Sequence, residues 1–246
     1  MKNIQEVFAV RFKPERDTLV AFLSGMLVIG LSAGMLPFKD SGLERISSLV
    51  LRNLLMIYGF GFFVPVGYTL FIEKNNLSEL GLTRKHLGLL LFINLLLAGL
   101  LVWVFISDID ILPSLTREKI KAVLYIMLAA GPFEILFFYG FLQLRFERAF
   151  GILPAVLLTA LFYSFHHIGF QPQFGKLFMV GVMYMITFRT VRSVWIIYPF
   201  FWGVGACWDV LVQFGLPAGE IPWVDTFWIV AFFILTGIIF YYQKRG

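Results

Sequence analysis

Polar residues along the chain fall in short clusters that separate long apolar runs, and the runs approach the length required to cross a bilayer. A hydrocarbon core of roughly 30 Å needs about 20 helical residues. On that criterion the pattern predicts eight spans. The first four are Thr18–Phe38, Leu49–Ile72, Leu87–Ile106 and Ile120–Phe146, and the last four are Gly151–Ile168, Phe174–Phe188, Val194–Phe214 and Trp223–Tyr242. A break is expected at Glu147–Phe150, between the fourth and fifth spans. No internal repeat or low-complexity linker interrupts the array, so residues 1–246 read as one integral membrane domain, an all-α polytopic helical bundle.

Composition supports the same class. The chain is 59% hydrophobic and only 14% charged, against about 25% charged in ordinary soluble domains. That leaves too little polar surface for a water-soluble globule. The net charge is +5, but the basic residues are scattered between apolar runs instead of forming a nucleic-acid-binding patch, and they read as topology signals. With eight crossings and a cytoplasmic amino terminus, thirteen of the twenty Lys and Arg fall on the cytoplasmic side. Both termini are therefore expected in the cytoplasm. The amino terminus lacks a signal-peptide cleavage pattern and is expected to stay on the mature protein. A single cysteine, Cys207, excludes an intrachain disulfide.

Ionisable side chains at membrane depth are costly and mark the places where function should be sought. Glu134, His166, His167 and Asp209 stand out, with the remaining charges assigned to interfaces or loops. Glu134 follows Gly131-Pro132, a pair expected to kink a membrane helix and open a cavity for the carboxylate. The alternative is a neutral Glu that hydrogen-bonds across helices. Imidazoles suit zinc ligation or general-base work, or they are hydrogen-bonded residues at a helix end. Adjacent helical residues point about 100° apart, so only one histidine of the pair is expected to face the site. Trp202, Trp208, Trp223 and Trp228 fit interfacial belts or the lining of a lipid or partner surface.

These stretches together resemble the CAAX protease and bacteriocin-processing family of intramembrane proteins, also called the Abi family. The resemblance implies a bundle of about eight helices and covers roughly residues 77–209. The family's first motif, Glu-Glu-x-x-x-Arg-Gly with a following basic turn, is matched by Glu134 through Gly140 and then Arg145 and Arg148. Its second, Phe-x-x-x-His, is matched by Phe162 with His166, or by Tyr163 with His167, which the flanking residues favour slightly. Leu80-Gly81-Leu82-Thr83-Arg84 and the stretch from Phe174 through Trp195 resemble further family segments.

Three departures bear on activity. Ile135 replaces the second motif glutamate, Tyr139 replaces the motif arginine, and no histidine follows His167. One alignment of the third motif, His-x-x-x-Asn, puts Gly205 and Asp209 at its two positions, and a shifted one puts Trp202 at the histidine. The resemblance implies Glu134 as the water-activating group, His167 or His166 as its partner, and Asp209 and Tyr139 as binding residues. Zinc is a candidate cofactor, short of ligands on this reading. The expected function is therefore that of a degenerate relative, weakly active or inactive, that binds a membrane-protein partner or a lipid-like ligand. The alternative is a Glu/His-dependent endopeptidase acting on membrane-proximal peptides.

Overall fold

The computed structural model describes residues 4–105, 116–169, 173–208, 211 and 223–243. Within them the secondary structure is helical throughout. A short helix α1 (Ile4–Phe8) precedes α2 (Arg16–Phe38), α3 (Glu44–Ile72), α4 (Leu87–Phe105) and α5 (Arg117–Phe150). Then come α6 (Ile152–His166), α7 (Phe174–Val191), α8 (Phe200–Trp208) and α9 (Trp223–Gln243). Five of these, α2 to α5 and α7, are long and apolar enough to cross a membrane; Ile152–His166 and Thr226–Phe240 are shorter apolar helices. Helices α2, α4 and α9 carry rows of exposed apolar side chains, such as Leu89, Phe92, Leu96 and Trp103 on α4. Lipid, not water, suits such a surface. The molecule is an integral membrane protein with an all-α bundle.

The expected spans match these helices closely through α4. The expected break at Glu147–Phe150 is corrected: α5 runs on to Phe150 and stops at Gly151, whose φ of +95° is a conformation open mainly to glycine. Its Cβ position is also filled by the Ala9 carbonyl. Of the expected seventh span, Val194–Phe214, the structure describes a short turn at Val194–Ile196 and helix α8, and most of residues 209–222 lie outside the described residues. Eight spans remains an expectation.

Helix α5 is the axis of the bundle and the most buried of the long helices. It begins where Thr116 accepts a hydrogen bond from the Lys119 amide, a side-chain cap for an otherwise unpaired donor. The Gly131-Pro132 pair does not break it. Proline removes one backbone donor, and the flanking stretches Ile126–Ala130 and Ile135–Gln143 take wider, i to i+5 turns that carry the helix past it. Such turns recur at functional sites in helices. Helices α2, α3, α6, α7, α8 and α9 pack around this axis, and Gly140 lets the Leu80 carbonyl come close to it.

Candidate functional site

Glu134 lies at the middle of α5, on the turn between the two wider stretches, and is 6% exposed. Its Oε2 accepts a hydrogen bond from Trp202 Nε1 on α8 at 2.9 Å. The Tyr163 hydroxyl on α6 lies beside the same carboxylate. Its Oε1 faces two imidazoles: His166 Nε2 and His167 Nε2 are each 3.7 Å away. Those separations exceed a direct hydrogen bond.

The expectation that the histidines would diverge is corrected here. Helix α6 ends at His166, and residues 167–169 tighten into a 3-10 turn. The two rings nonetheless converge on one side. The rings sit 4.1 Å apart, centroid to centroid, and aim their Nε2 atoms at one oxygen. His167 Nδ1 is held by the Tyr163 carbonyl at 2.8 Å, and His166 Nδ1 lies 3.4 Å from Ser32 Oγ. His166 packs edge-on against Phe133 and stacks on Phe138. Glu134, His166 and His167 thus form a group with metal-ligand spacing, their ligand atoms within 4.8 Å of one another. A carboxylate, two imidazoles and two neutral donors can hold a water or a cation and move a proton.

Tyr139 is fully buried on α5, with its ring 6.3 Å from that of Tyr184. Its hydroxyl has no hydrogen-bond partner among the described residues. Asp209 lies outside the described residues. Trp202 is the residue that sequence reasoning placed wrongly: it is 1% exposed and bound to Glu134, not part of an interfacial belt. The signal was the shifted third-motif alignment, which puts Trp202 in the place of the family's histidine. Trp208 is buried too, stacked on Phe105 at 4.5 Å. Ser32 had no signal of its own, and Tyr163 had one only as the aromatic position of the second motif.

Some of the other charges are buried against neighbouring helices. Arg52 is buried inside α3, where its Nε donates to Asn53 Oδ1 at 3.3 Å and its guanidinium lies over the Tyr125 ring. Arg145 and Glu147 are buried in α5.

A carboxylate and paired imidazoles thus sit together inside a bundle of apolar helices. Residues 116–207 match the family model described as type II CAAX prenyl endopeptidase Rce1-like. The matched segment runs from the start of α5 into α8 and so contains Glu134, both histidines and Trp202. No curated protein and no solved structure matches the chain.

Proposed function

We propose that the protein is an intramembrane endopeptidase that cleaves membrane-proximal peptides with Glu134 and the histidine pair. One observation carries this reading: both imidazoles face the same oxygen of a buried carboxylate at 3.7 Å. A base that can reach a water is the first requirement of hydrolysis, and Glu134 Oε1, flanked by two imidazoles, is such a base. Glu134 Oε1 takes a proton from the water as its oxygen adds to the peptide carbonyl. The proton then passes to the leaving nitrogen as the carbon–nitrogen bond breaks, with His167 Nε2 beside the path. Trp202 and Tyr163 hold the carboxylate in place during the exchange. Tyr139, which stands where the family motif has arginine, supplies a buried hydroxyl for the developing oxyanion, a kind of contact worth about 100- to 1000-fold in rate.

A second reading has its own support. Trp202 occupies the position of the third-motif histidine in the shifted alignment, and an indole is neither base nor ligand. With Ile135 and Tyr139 also changed, an inactive relative that binds a membrane-protein partner or a lipid-like ligand would keep the Glu134 cluster as packing. Labelling of new amino termini in membrane fractions separates the two. Cells expressing wild type or Glu134→Gln at equal abundance are compared: termini produced by wild type alone support the endopeptidase, and identical profiles support the binding reading.

The reading includes one integral domain with both termini in the cytoplasm, supported by the bias of basic residues. Cysteine labelling of the Arg84 loop from outside intact cells would reverse that orientation.

A further inference from the structure

The Gly131-Pro132 pair in α5 leaves one carbonyl without a backbone donor, and a residue on the approach to α8 supplies one. In the wider turn before the proline, the Gly131 amide donates to the Ile126 carbonyl five residues back. The next donor in that register would be Pro132, which has no N–H. The carbonyl it would serve is that of Met127, and the Tyr198 hydroxyl donates to it instead. Inside a bilayer an unserved carbonyl is costly, so this bond ties residue 198 to one point on α5.

Glycine supplies the matching room. A Cβ added at Gly131 would lie 2.8 Å from Tyr198 Cε2 and 2.9 Å from Trp202 Cζ3, against an optimum of about 3.5 to 4.0 Å for carbon pairs. A residue without a side chain therefore lets both rings, 6.1 Å apart centroid to centroid, sit against α5. Glu134 follows Gly131 by three residues and so lies on the same face of the helix. It is there that the Trp202 indole meets Oε2 at 2.9 Å. The start of α8 is also held from a second helix. Asn94, fully buried on α4, accepts from the Phe201 amide at 2.7 Å and donates to the Trp195 carbonyl at 2.9 Å. The first amides of a helix have no partner within it, so Asn94 caps α8 and fixes its place one residue before Trp202.

We propose that Tyr198 is a positioning residue: its bond to the Met127 carbonyl, with Gly131 as the seat and Asn94 as the anchor of α8, holds the Trp202 indole on the Glu134 carboxylate. Tyr198 acts only through Trp202. The Gly-Pro pair thus serves as a socket for the approach to α8. The inference rests on the reading of Glu134 as the base for its effect on cleavage, whereas its effect on Trp202 stands apart from that reading.

The test uses the full chain in mild detergent with isotope-labelled tryptophan, read by NMR. Of the six indole N–H signals, the one lost in Trp202→Phe belongs to Trp202, and Glu134→Gln should shift it. Tyr198→Phe removes the hydroxyl alone. In that variant the Trp202 signal should also shift, its hydrogen should exchange with solvent about tenfold faster, and Glu134-dependent cleavage should fall by up to about 100-fold. Gly131→Ala disturbs the same seat without removing a hydrogen bond and should move the same signal; it carries the test if Tyr198→Phe does not fold. Tyr58→Phe is the control. It removes a hydroxyl contact of 2.7 Å to Thr236 between α3 and α9, and should lower the Tm while leaving the Trp202 signal in place. A Trp202 signal unmoved in folded Tyr198→Phe, unmoved by Glu134→Gln, or moved equally by Tyr58→Phe overturns the positioning role. Cleavage is read separately: a shifted signal in a protein whose wild type yields no Glu134-dependent termini keeps the positioning and removes the peptidase, whereas an unmoved signal beside such termini does the reverse.

Discussion

Two polar regions share helix α5, and they are built in opposite ways. Near the carboxyl end of that helix the charges are closed into direct pairs. Arg145 meets Glu73 at 2.6 Å and lies 3.8 Å over the Phe141 ring. Glu147 binds Arg189 at 2.6 Å and Arg192 at 2.7 Å, while Arg148 meets Glu79 at 2.8 Å. Around Glu134 the groups are more deeply buried, yet the Glu–His separations stop at 3.7 Å. Closed pairs fasten α5 to its neighbours. The Glu134 group is left without such direct pairs, and on the proposed reading that difference separates a region that holds the bundle from one that acts.

If the paired region is the fastening, its disruption should dominate stability. Arg145→Met leaves the Glu73 carboxylate without its closest partner, and breaking a buried pair on one side typically costs about 3 to 5 kcal/mol. Thermal unfolding in detergent should show that loss; an unchanged Tm would mean the cluster does not hold the helices. Gly151→Ala tests the joint between α5 and α6. A non-glycine residue at this φ of +95° is strained, at a cost of about 1 to 3 kcal/mol, and its Cβ would also meet the Ala9 carbonyl. A drop in Tm smaller than that of Arg145→Met is expected. Tyr139→Phe sharpens the contrast from the other side. Removing a buried hydroxyl without a partner should leave stability unchanged or raise it by about 1 kcal/mol, while cleavage falls about 100-fold or more if the hydroxyl serves the oxyanion. Equal cleavage by this variant would take Tyr139 out of the mechanism.

Most of the helical frame was legible in the sequence because bilayer-length apolar runs leave little choice of structure. The boundaries that failed did so for local reasons. Glu147 and Arg148 look like a loop when read along the chain, but Arg189, Arg192 and Glu79 neutralise them from other segments, and only the fold brings those together. Glu134 was legible as a carboxylate at membrane depth. The meeting of both histidines at one oxygen was not, because the step between adjacent helical residues argues against it and only the folded side chains bring the two rings together. Trp202 was hidden by its type: tryptophan near a membrane surface is usually an interfacial residue, and its indole N–H becomes visible as a site donor only once α8 packs beside α5.

Glu134→Gln has the smallest expected effect on stability and bears most directly on the central claim. Glutamine keeps an oxygen that accepts from Trp202, so the Tm should stay within a few degrees of wild type. It cannot take a proton, and general-base catalysis contributes about 100- to 10,000-fold. Membrane fractions from cells making wild type or this variant at matched abundance are compared by amino-terminal labelling. The account predicts termini that depend on the Glu134 carboxylate, with the fold intact. Identical termini from a stably folded variant would contradict it and leave the cluster as a packing element of an inactive relative.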